Sequence, residues 1–440
     1  MSNLFIQNTT VVSSLFPHKI RFHTDVLIED SKITSIGKLK TPPENSLCID
    51  GSNKLLMPGL INAHTHFYSA FARGYSNIPA VHCFHDVLKS LWWKLDRELT
   101  EEACYYSALI GCIEAIKAGT TTLVDHHAAP HAFGLNQVSK AVQETHLRAC
   151  LCYEVSDRDG PEIAQRGIQE NDFFLSRLQD NPSDTLKGLF GLHASFTLTD
   201  ETLKTVSSLV DKHQTGIHIH LAEDQLDQDH AERNYRLRAT HRLENAGLLN
   251  SKALLAHGVH LNQFERQLIN KHACFLVHNP QSNMNNAVGA ANLHAWHREG
   301  LSFGLGTDAM TYNMLEELRV AIWLQKLRGG DPSLGFVPAT QALFQGNPKL
   351  AERIWGLPLG RIAEKGPADV ILYNYQPYTD LSEENILGHI VFGVSQADVH
   401  STIVNGKLLM HDGKLLGLDE SEIYKHAKLL ADELWKKMES

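Results

Sequence analysis

Short apolar runs that end in a histidine or an aspartate recur through the middle of the chain. They alternate with helical stretches such as residues 101–118. We interpret seven of these runs as strands: 60–64, 121–125, 188–193, 216–220, 253–257, 274–278 and 302–308. Strands that alternate with helices are typical of an α/β protein with a parallel sheet.

A (β/α)8 barrel needs eight strands, and the long gap before residue 188 leaves room for one more near 149–154. The carboxyl ends of barrel strands converge on one mouth, where the active site lies. The histidines at these strand ends are therefore expected at a common place, although they are far apart along the chain. We predict an α/β protein built on such a barrel.

The two ends of the chain have a different pattern. Residues 25–37 place a polar Glu-Asp-Ser-Lys turn between two apolar runs, and residues 401–410 contain Asn405-Gly406. Turns of this kind between apolar runs indicate β-hairpins. Residues 421–440 form an amphipathic pattern that predicts a closing helix.

Composition narrows the function classes. The 440 residues carry a formal charge of −10 with 43% hydrophobic residues, which predicts a large core and argues against a nucleic-acid or anionic-membrane surface. The seven cysteines contain no Cys-x-x-Cys pair and favour reduced thiols. No secretory signal or membrane span is visible, so we expect a cytoplasmic protein. The 26 histidines suggest a metal without saying which of them bind it.

Position at the strand ends selects candidate ligands. His64 and His66 are two residues apart, so they share one face of a strand and can reach one ion. His220 ends its strand with Glu223 just beyond, which pairs an imidazole with a carboxylate able to move protons. Asp308 ends the last strand. Nitrogen ligands with one carboxylate suit Zn²⁺, and Fe²⁺ is also compatible.

Five motifs, given below in chain order, resemble those of the amidohydrolase superfamily, in its branch of cytosine and guanine deaminases and triazine hydrolases. The motifs are Met-Pro-Gly-Leu-Ile-Asn-Ala-His-Thr-His at 57–66, His-Ile-His-Leu-Ala-Glu at 218–223, Leu-Ala-His-Gly at 255–258, His-Asn-Pro-Gln-Ser-Asn at 278–283 and Leu-Gly-Thr-Asp at 305–308. Three further segments resemble the SsnA-type aminohydrolases: 91–97, 125–128 and 282–286.

The resemblance implies one divalent metal bound by four residues, namely His64, His66, His220 and Asp308. It implies that Glu223 and His257 act as the acid/base and the polarising group, and that His193 contacts the substrate. It also implies a small β-sandwich built from residues 1–57 and 361–418, beside a barrel at 58–360 and a helix at 419–440. Relatives are commonly homo-oligomers, so an oligomer is expected here.

Other substrate contacts have competing interpretations. Arg73 either pairs with a substrate anion or forms a surface salt bridge, and Trp92 either walls an aromatic pocket or packs in the core. His126, Ser282 and Asn283 are further candidates, with a simple turn as the alternative for the last two. Ser69 and Ser195 stand where many relatives carry Gln and Pro, at positions expected to face the substrate.

The predicted reaction is hydrolytic removal of an amino group from an N-heterocycle of the purine, pyrimidine or triazine type. A metal lowers the pKa of water, Asp308 and Glu223 take its proton, and Glu223 protonates the ring nitrogen. The nearest alternative is a cyclic amide hydrolase that uses the same site. A serine hydrolase at residues 393–397 and a barrel scaffold without activity are weaker alternatives, because the former lacks the last glycine of its motif and the latter should have lost its ligands.

Overall fold

The computed structural model describes residues 3–39 and 41–439. Its strands are Leu4–Leu15 (β1), His18–Glu29 (β2), Lys32–Gly37 (β3), Leu47–Asp50 (β4), Leu55–Pro58 (β5), Leu60–Thr65 (β6), Thr120–Asp125 (β7), Arg148–Leu151 (β8), Leu186–Gly188 (β9), Phe190–Ala194 (β10), Ile217–Leu221 (β11), Leu254–His257 (β12), Phe275–His278 (β13), Ser302–Leu305 (β14), Val370–Tyr373 (β15), Val399–Val404 (β16), Lys407–His411 (β17) and Lys414–Leu415 (β18).

The α-helices of the described residues are Phe84–Val87 (α1), Trp93–Glu98 (α2), Glu101–Lys117 (α3), Gly134–Thr145 (α4), Pro161–Asp180 (α5), Asp200–His213 (α6), Gln225–Tyr235 (α7), Ala239–Asn245 (α8), Gln263–Lys271 (α9), Pro280–Asn285 (α10), Leu293–Arg298 (α11), Met314–Gly329 (α12), Phe336–Gln341 (α13), Asn347–Trp355 (α14), Ile386–Phe392 (α15) and Glu420–Glu439 (α16). Short 3-10 turns lie at Phe67–Ala72, Ser195–Thr197 and Val394–Gln396, and π-turns lie at Leu88–Trp92 and Ala342–Gly346.

The central strands form a parallel barrel. One part runs β6-β7-β8-β9 and the other β10-β11-β12-β13-β14. Only Leu189 separates β9 from β10, so these two segments act as one strand that pairs with β8 on one side and β11 on the other. The circle closes where the amides of Thr307 and Asp308 each donate to the His64 carbonyl at 2.9 Å. The strand expected near 149–154 is β8, and the predicted barrel is confirmed.

Strands from both chain ends form one mixed sheet in the order β18-β17-β16-β15-β5-β1-β2-β3, with β4 beside β1. The antiparallel pair β5–β15 joins the two ends. One apolar cluster runs from Val26 and Ile28 on β2 to Ile403 on β16, so the sheet curls around this core in the manner of a sandwich. The hairpin predicted at Asn405-Gly406 joins β16 to β17, with both turn residues at positive φ. The exact domain boundaries stay a prediction.

Local signals fix where the barrel helices begin. Thr100 caps α3 by accepting from the Ala103 amide at 3.1 Å, and Asn262 and Glu265 form a reciprocal capping box at α9. The last helix, α16, reaches back to the barrel mouth, where Trp435 Nε1 donates to the Phe71 carbonyl at 2.8 Å. It thereby supports the turn that follows His66. Within the described residues, no helix combines the length and the apolar character needed to cross a bilayer.

Candidate active site and metal centre

The four predicted ligands converge at the carboxyl end of the barrel. His64 and His66 lie at the end of β6, His220 lies in β11 and Asp308 follows β14. The Nε2 atoms of His66 and His220 are 3.2 Å apart. Asp308 Oδ1 lies 2.9 Å from His66 Nε2 and 3.8 Å from His64 Nε2. All four side chains are buried, so they form one enclosed cluster.

The outer nitrogen of each imidazole is held by a partner. His64 Nδ1 lies 2.8 Å from His218 Nε2, His66 Nδ1 lies 2.6 Å from the His126 carbonyl, and His220 Nδ1 lies 2.9 Å from the His193 carbonyl. A carbonyl can only accept, so His66 and His220 carry their protons on Nδ1. The Nε2 atoms of both rings therefore point inward, which is the orientation found in metal-binding histidines.

This cluster fits a divalent metal. His64 Nε2 is buried and has no hydrogen-bond partner among the described residues, which is costly unless a cation is bound. Ligand nitrogens of His64, His66 and His220 lie within 4.8 Å of one another. Burial lowers the pKa of His64 and of His220, which keeps these imidazoles in the neutral form that binds metals.

Glu223 and His257 face the same cluster. His257 Nε2 lies 3.5 Å from Glu223 Oε2 and 3.6 Å from Asp308 Oδ2. Burial, together with the charge of Asp308, raises the pKa of Glu223 well above its usual range. Burial also lowers the pKa of His257 to about 3. A carboxyl group that retains its proton beside a neutral imidazole is suited to proton transfer.

The backbone is strained at Asp308 and at His257. Asp308 has φ 52° and His257 has φ 74°, a left-handed conformation that residues other than glycine rarely adopt. The Asp308 amide is tied to the His64 carbonyl, and Gly258 after His257 donates to the Leu221 carbonyl at 2.9 Å. Such strain persists where the surroundings enforce it, and it concentrates at functional sites.

A pocket opens above the cluster. His66, His193, His220, Glu223 and Asp308 form its floor. One wall, which we call the apolar wall, is formed by Phe84, Leu88, Trp92, Trp93 and Phe196. Val259 and Val288 belong to the same apolar cluster and lie behind this wall. Flat aromatic surfaces beside a polar floor favour a planar, partly polar ligand.

Family comparison agrees with this arrangement. The amidohydrolase family matches residues 55–409, which span the barrel and much of the terminal sheet. The chain belongs to this family. It is 31% identical over 438 residues to 5'-deoxyadenosine deaminase from Methanosarcina barkeri, with 99% of each chain covered. It is 32% identical over 417 residues to 5-methylthioadenosine/S-adenosylhomocysteine deaminase from Syntrophomonas wolfei, with 93% of this chain and 94% of that relative covered.

Solved structures show the same fold at lower identity. An adenosine deaminase from Xanthomonas campestris with bound zinc has a TM-score of 0.85 at 20% identity, and 98% of each chain is covered. The atrazine chlorohydrolase TrzN from Arthrobacter aurescens, complexed with zinc, has a TM-score of 0.81 at 20% identity. The match covers 97% of this chain and 100% of the TrzN chain. The predicted family and fold are confirmed. The named curated relatives are deaminases, hydrolases of carbon–nitrogen bonds other than peptide bonds.

The softer substrate candidates of this amidohydrolase separate into two groups. Trp92 and His193 line the pocket, and Trp93 joins them. Arg73 does not line it: its side chain is 64% exposed and pairs with Glu114 on α3, the surface salt bridge that was the competing interpretation.

His126, Ser282 and Asn283 lie beneath the pocket lining, because neighbouring side chains cover them. His126 is fully buried and stacks on the His218 ring at 4.3 Å. Asn283 Nδ2 lies 2.9 Å from His257 Nδ1. Because the amide nitrogen donates to Nδ1, the proton of the neutral imidazole is on Nε2. Ser282 Oγ lies 3.4 Å from Asn286 Nδ2, which also donates to Glu223 Oε1 at 3.2 Å. Asn283 thus holds His257, and Ser282 contacts the Asn286 amide that holds Glu223.

The two departures from the family pattern also lie away from the pocket lining. Ser69 Oγ donates to the His66 carbonyl at 2.7 Å. Ser195 is fully buried, and its carbonyl accepts from Arg242 at 2.6 Å. The expectation that both face the substrate is wrong, because each polar group is used within the protein.

Glu154 is a pocket residue that sequence reasoning did not select. Its Oε1 lies 3.2 Å from His66 Nδ1 and 3.5 Å from His126 Nδ1, and its Oε2 lies 3.9 Å from His193 Nε2. It thus places a carboxylate behind His66, a candidate metal ligand, and at the lining of the pocket. The signal was present in the sequence, because the eighth strand candidate, 149–154, ends in this glutamate as other strands end in His or Asp.

Proposed function

We propose that this protein is a metal-dependent aminohydrolase that removes the amino group from an amino-substituted N-heterocycle and releases ammonia. The observation that carries the proposal is one buried cluster that joins three inward Nε2 atoms with Asp308, Glu223 and His257. His66, His220, Glu223 and Asp308 of this cluster also line the pocket. The names of the two curated relatives given above, both deaminases of adenosine derivatives, support the reaction type. The heterocycle is of the purine, pyrimidine or triazine type.

The metal in this proposal is Zn²⁺, with Fe²⁺ as the alternative, bound by His64, His66, His220 and Asp308. Three imidazole nitrogens and one carboxylate are a donor set that both ions accept. Zinc is bound in the adenosine deaminase and TrzN structures that share this fold. A divalent metal bound at this site would lower the pKa of water.

The side chains of the floor then move the protons. Asp308 Oδ2 accepts a proton from the attacking water. Glu223 donates the proton that it already holds to the ring nitrogen beside the reacting carbon, and it recovers a proton from the new hydroxyl group as the carbonyl forms. The raised pKa of Glu223 suits this role, since the group must hold a proton before it gives one. His257 donates from Nε2 to the charge that develops on the substrate. Asp308 returns a proton to the departing ammonia.

The wall of the pocket orients the ring. Trp92 and Trp93 present indole surfaces, and His193 lies at the floor with its Nδ1 held by Thr197 Oγ1 at 2.8 Å. This bond fixes the ring while its Nε2 faces the pocket side occupied by Glu154. A flat heterocycle can stack on the wall while its amino-bearing carbon lies over the metal.

An ammonia-release screen over amino-purines, amino-pyrimidines, pterins and triazines tests the proposal with the Zn²⁺-loaded protein. Turnover of at least one class is expected, and the same preparation carrying Glu223→Gln should lose it. Formation of a new carboxylate without ammonia, from a hydantoin or lactam, would replace the proposal by the cyclic amide hydrolase. A protein that binds neither Zn²⁺ nor Fe²⁺ would refute metal-dependent hydrolysis altogether.

We further propose a cytoplasmic homo-oligomer. All seven cysteines are free thiols, and Cys48 and Cys83 are exposed, which suits a reducing compartment. The oligomer is expected from the family resemblance. Light scattering after size-exclusion chromatography measures the assembly directly, and a monomer at micromolar concentration would contradict it.

A further inference from the structure

Arg158 lines the active-site pocket but has no part in the reaction proposed above. It follows β8 on the loop that also carries Glu154, and its side chain is only 9% exposed. The lining carboxyl groups are those of Asp96, Glu154, Glu223, Asp224, Asp227 and Asp308, and Arg158 is the lining residue that carries a permanent positive charge. A buried guanidinium keeps its positive charge, so Arg158 affects which ligand groups the pocket can bind.

The guanidinium is fixed on three sides. Nε donates to Asp159 Oδ2 at 3.0 Å, and Nη2 donates to Asp96 Oδ2. The group lies 5.2 Å over the ring of Trp93. Asp159 is in turn held by Arg97, whose Nε donates to its Oδ1 at 2.7 Å. A planar group held by two carboxylates and an aromatic ring is pre-organised, because it loses little freedom when a ligand binds.

The remaining nitrogen, Nη1, is the group left for a ligand. It makes no hydrogen bond to the described residues, and it is not one of the fully buried side-chain nitrogens that lack a partner. Guanidinium nitrogens can only donate. Because Arg158 lines the pocket, a ligand that meets Nη1 there must present an acceptor atom.

The donor lies near the metal cluster but not in it. The ring of Trp93 is 6.3 Å from the ring of His193, and the ring of His193 is 5.6 Å from that of His220. Three contacts, Arg158 to Trp93, Trp93 to His193 and His193 to His220, thus connect Arg158 to a proposed metal ligand. A flat ligand on the indole can reach the metal site with one edge and Nη1 with another.

Local charge decides which acceptor fits. The charges of Arg158 and Arg97 are matched by those of Asp96 and Asp159, so the cluster has no net positive charge to offer. The other carboxylates of the lining oppose a phosphate or a carboxylate. A neutral carbonyl oxygen gains the charge-assisted hydrogen bond without adding negative charge.

We propose that Arg158 is a specificity-determining residue that binds an exocyclic oxo group of the heterocycle through Nη1. The preferred substrates are then amino-heterocycles that also carry a ring carbonyl, rather than those whose ring has only nitrogen acceptors. The inference rests on the proposed function in one respect, namely that the ligand is a heterocycle.

Binding of unreactive ligand pairs tests Arg158 without any turnover. Zn²⁺-loaded protein is titrated by calorimetry with hypoxanthine against purine and with 4-pyrimidinone against pyrimidine. In at least one pair the oxo compound should bind about 10- to 100-fold more tightly, as expected for a hydrogen bond to a charged donor. Arg158→Gln should abolish this preference, and Arg158→Lys should retain part of it.

Arg266→Gln is the matched control, because Arg266 is also a partly buried arginine held by a carboxylate, Glu299, but does not line the pocket. It should keep the wild-type preference. Thermal melts of all variants show that the fold is retained. The inference is overturned if no oxo compound binds better than its partner, or if Arg158→Gln keeps the preference.

Ammonia release separates this inference from the proposed function. Guanine is compared with 2-aminopurine, and cytosine with 4-aminopyrimidine. An oxo preference in binding without ammonia from any compound would refute the aminohydrolase and leave the role of Arg158 standing. Ammonia release that Arg158→Gln lowers equally for both members of a pair would refute the role of Arg158 and leave the aminohydrolase standing.

Discussion

His218 is expected to set metal affinity without touching the metal. Its Nε2 lies 2.8 Å from His64 Nδ1, its Nδ1 lies 3.5 Å from Cys152 Sγ, and both rings are fully buried. His218→Phe keeps a ring of similar size that can stack on His126 but removes the acceptor. The His64 proton can then move to Nε2, near Asp308, in the metal-free protein.

Metal binding would force that proton back to Nδ1, where no acceptor is left. A buried unpaired donor costs about 1–3 kcal/mol, and outer partners of metal-binding histidines contribute about 10- to 100-fold in affinity. We therefore expect His218→Phe to weaken Zn²⁺ binding by about 10- to 100-fold. Competition with a chromophoric chelator at neutral pH measures this directly.

Cys152→Ala is the control, since it removes only the two long sulfur contacts, with His218 Nδ1 and with the Asp125 carbonyl, each at 3.5 Å. It should change affinity less than about threefold, a small part of a normal hydrogen bond. Melting of the metal-free variants separates lost affinity from lost folding. Zinc affinity of His218→Phe within threefold of wild type, with the fold intact, would refute the reasoning.

Three other predictions concern the floor and its support. Glu223→Gln should lower kcat by about 10²- to 10⁴-fold with unchanged metal content, because it removes the acid/base group and no ligand; a variant that retains kcat would contradict the mechanism. Asn283→Ala should lower kcat about tenfold through a misplaced His257, with little change in bound zinc by elemental analysis, and unchanged kinetics would rule out positioning. Burial raises the pKa of Glu317 from 4.5 to about 8, so the folded state binds this proton more tightly than the unfolded chain, and stability is lost as the pH rises through this range. Glu317→Gln should therefore melt progressively higher than wild type between pH 5 and pH 8.5, and a pH-independent difference would contradict the shift.

The sequence by itself determined the barrel and the principal cluster. Spacing of two residues puts His64 and His66 on one face of β6, and polar residues that end successive parallel strands must meet at one mouth. Hence His220 and Asp308 were selected without knowledge of any contact. The same rule reaches Glu154 once β8 is recognised as a strand. Motif order added the family, which comparison then confirmed.

Only the tertiary structure decided what surrounds these residues. Arg73 lies a few residues after His66, yet its chain segment turns outward to meet Glu114 on α3. Arg158 lies in a loop with no periodic pattern, and its place in the pocket depends on contacts with Asp96 and Trp93, which are distant in sequence. Strand periodicity fixes a side chain to a face over a few residues. Loop paths and hydrogen-bond partners depend on which distant groups are buried together, and local pattern does not encode that.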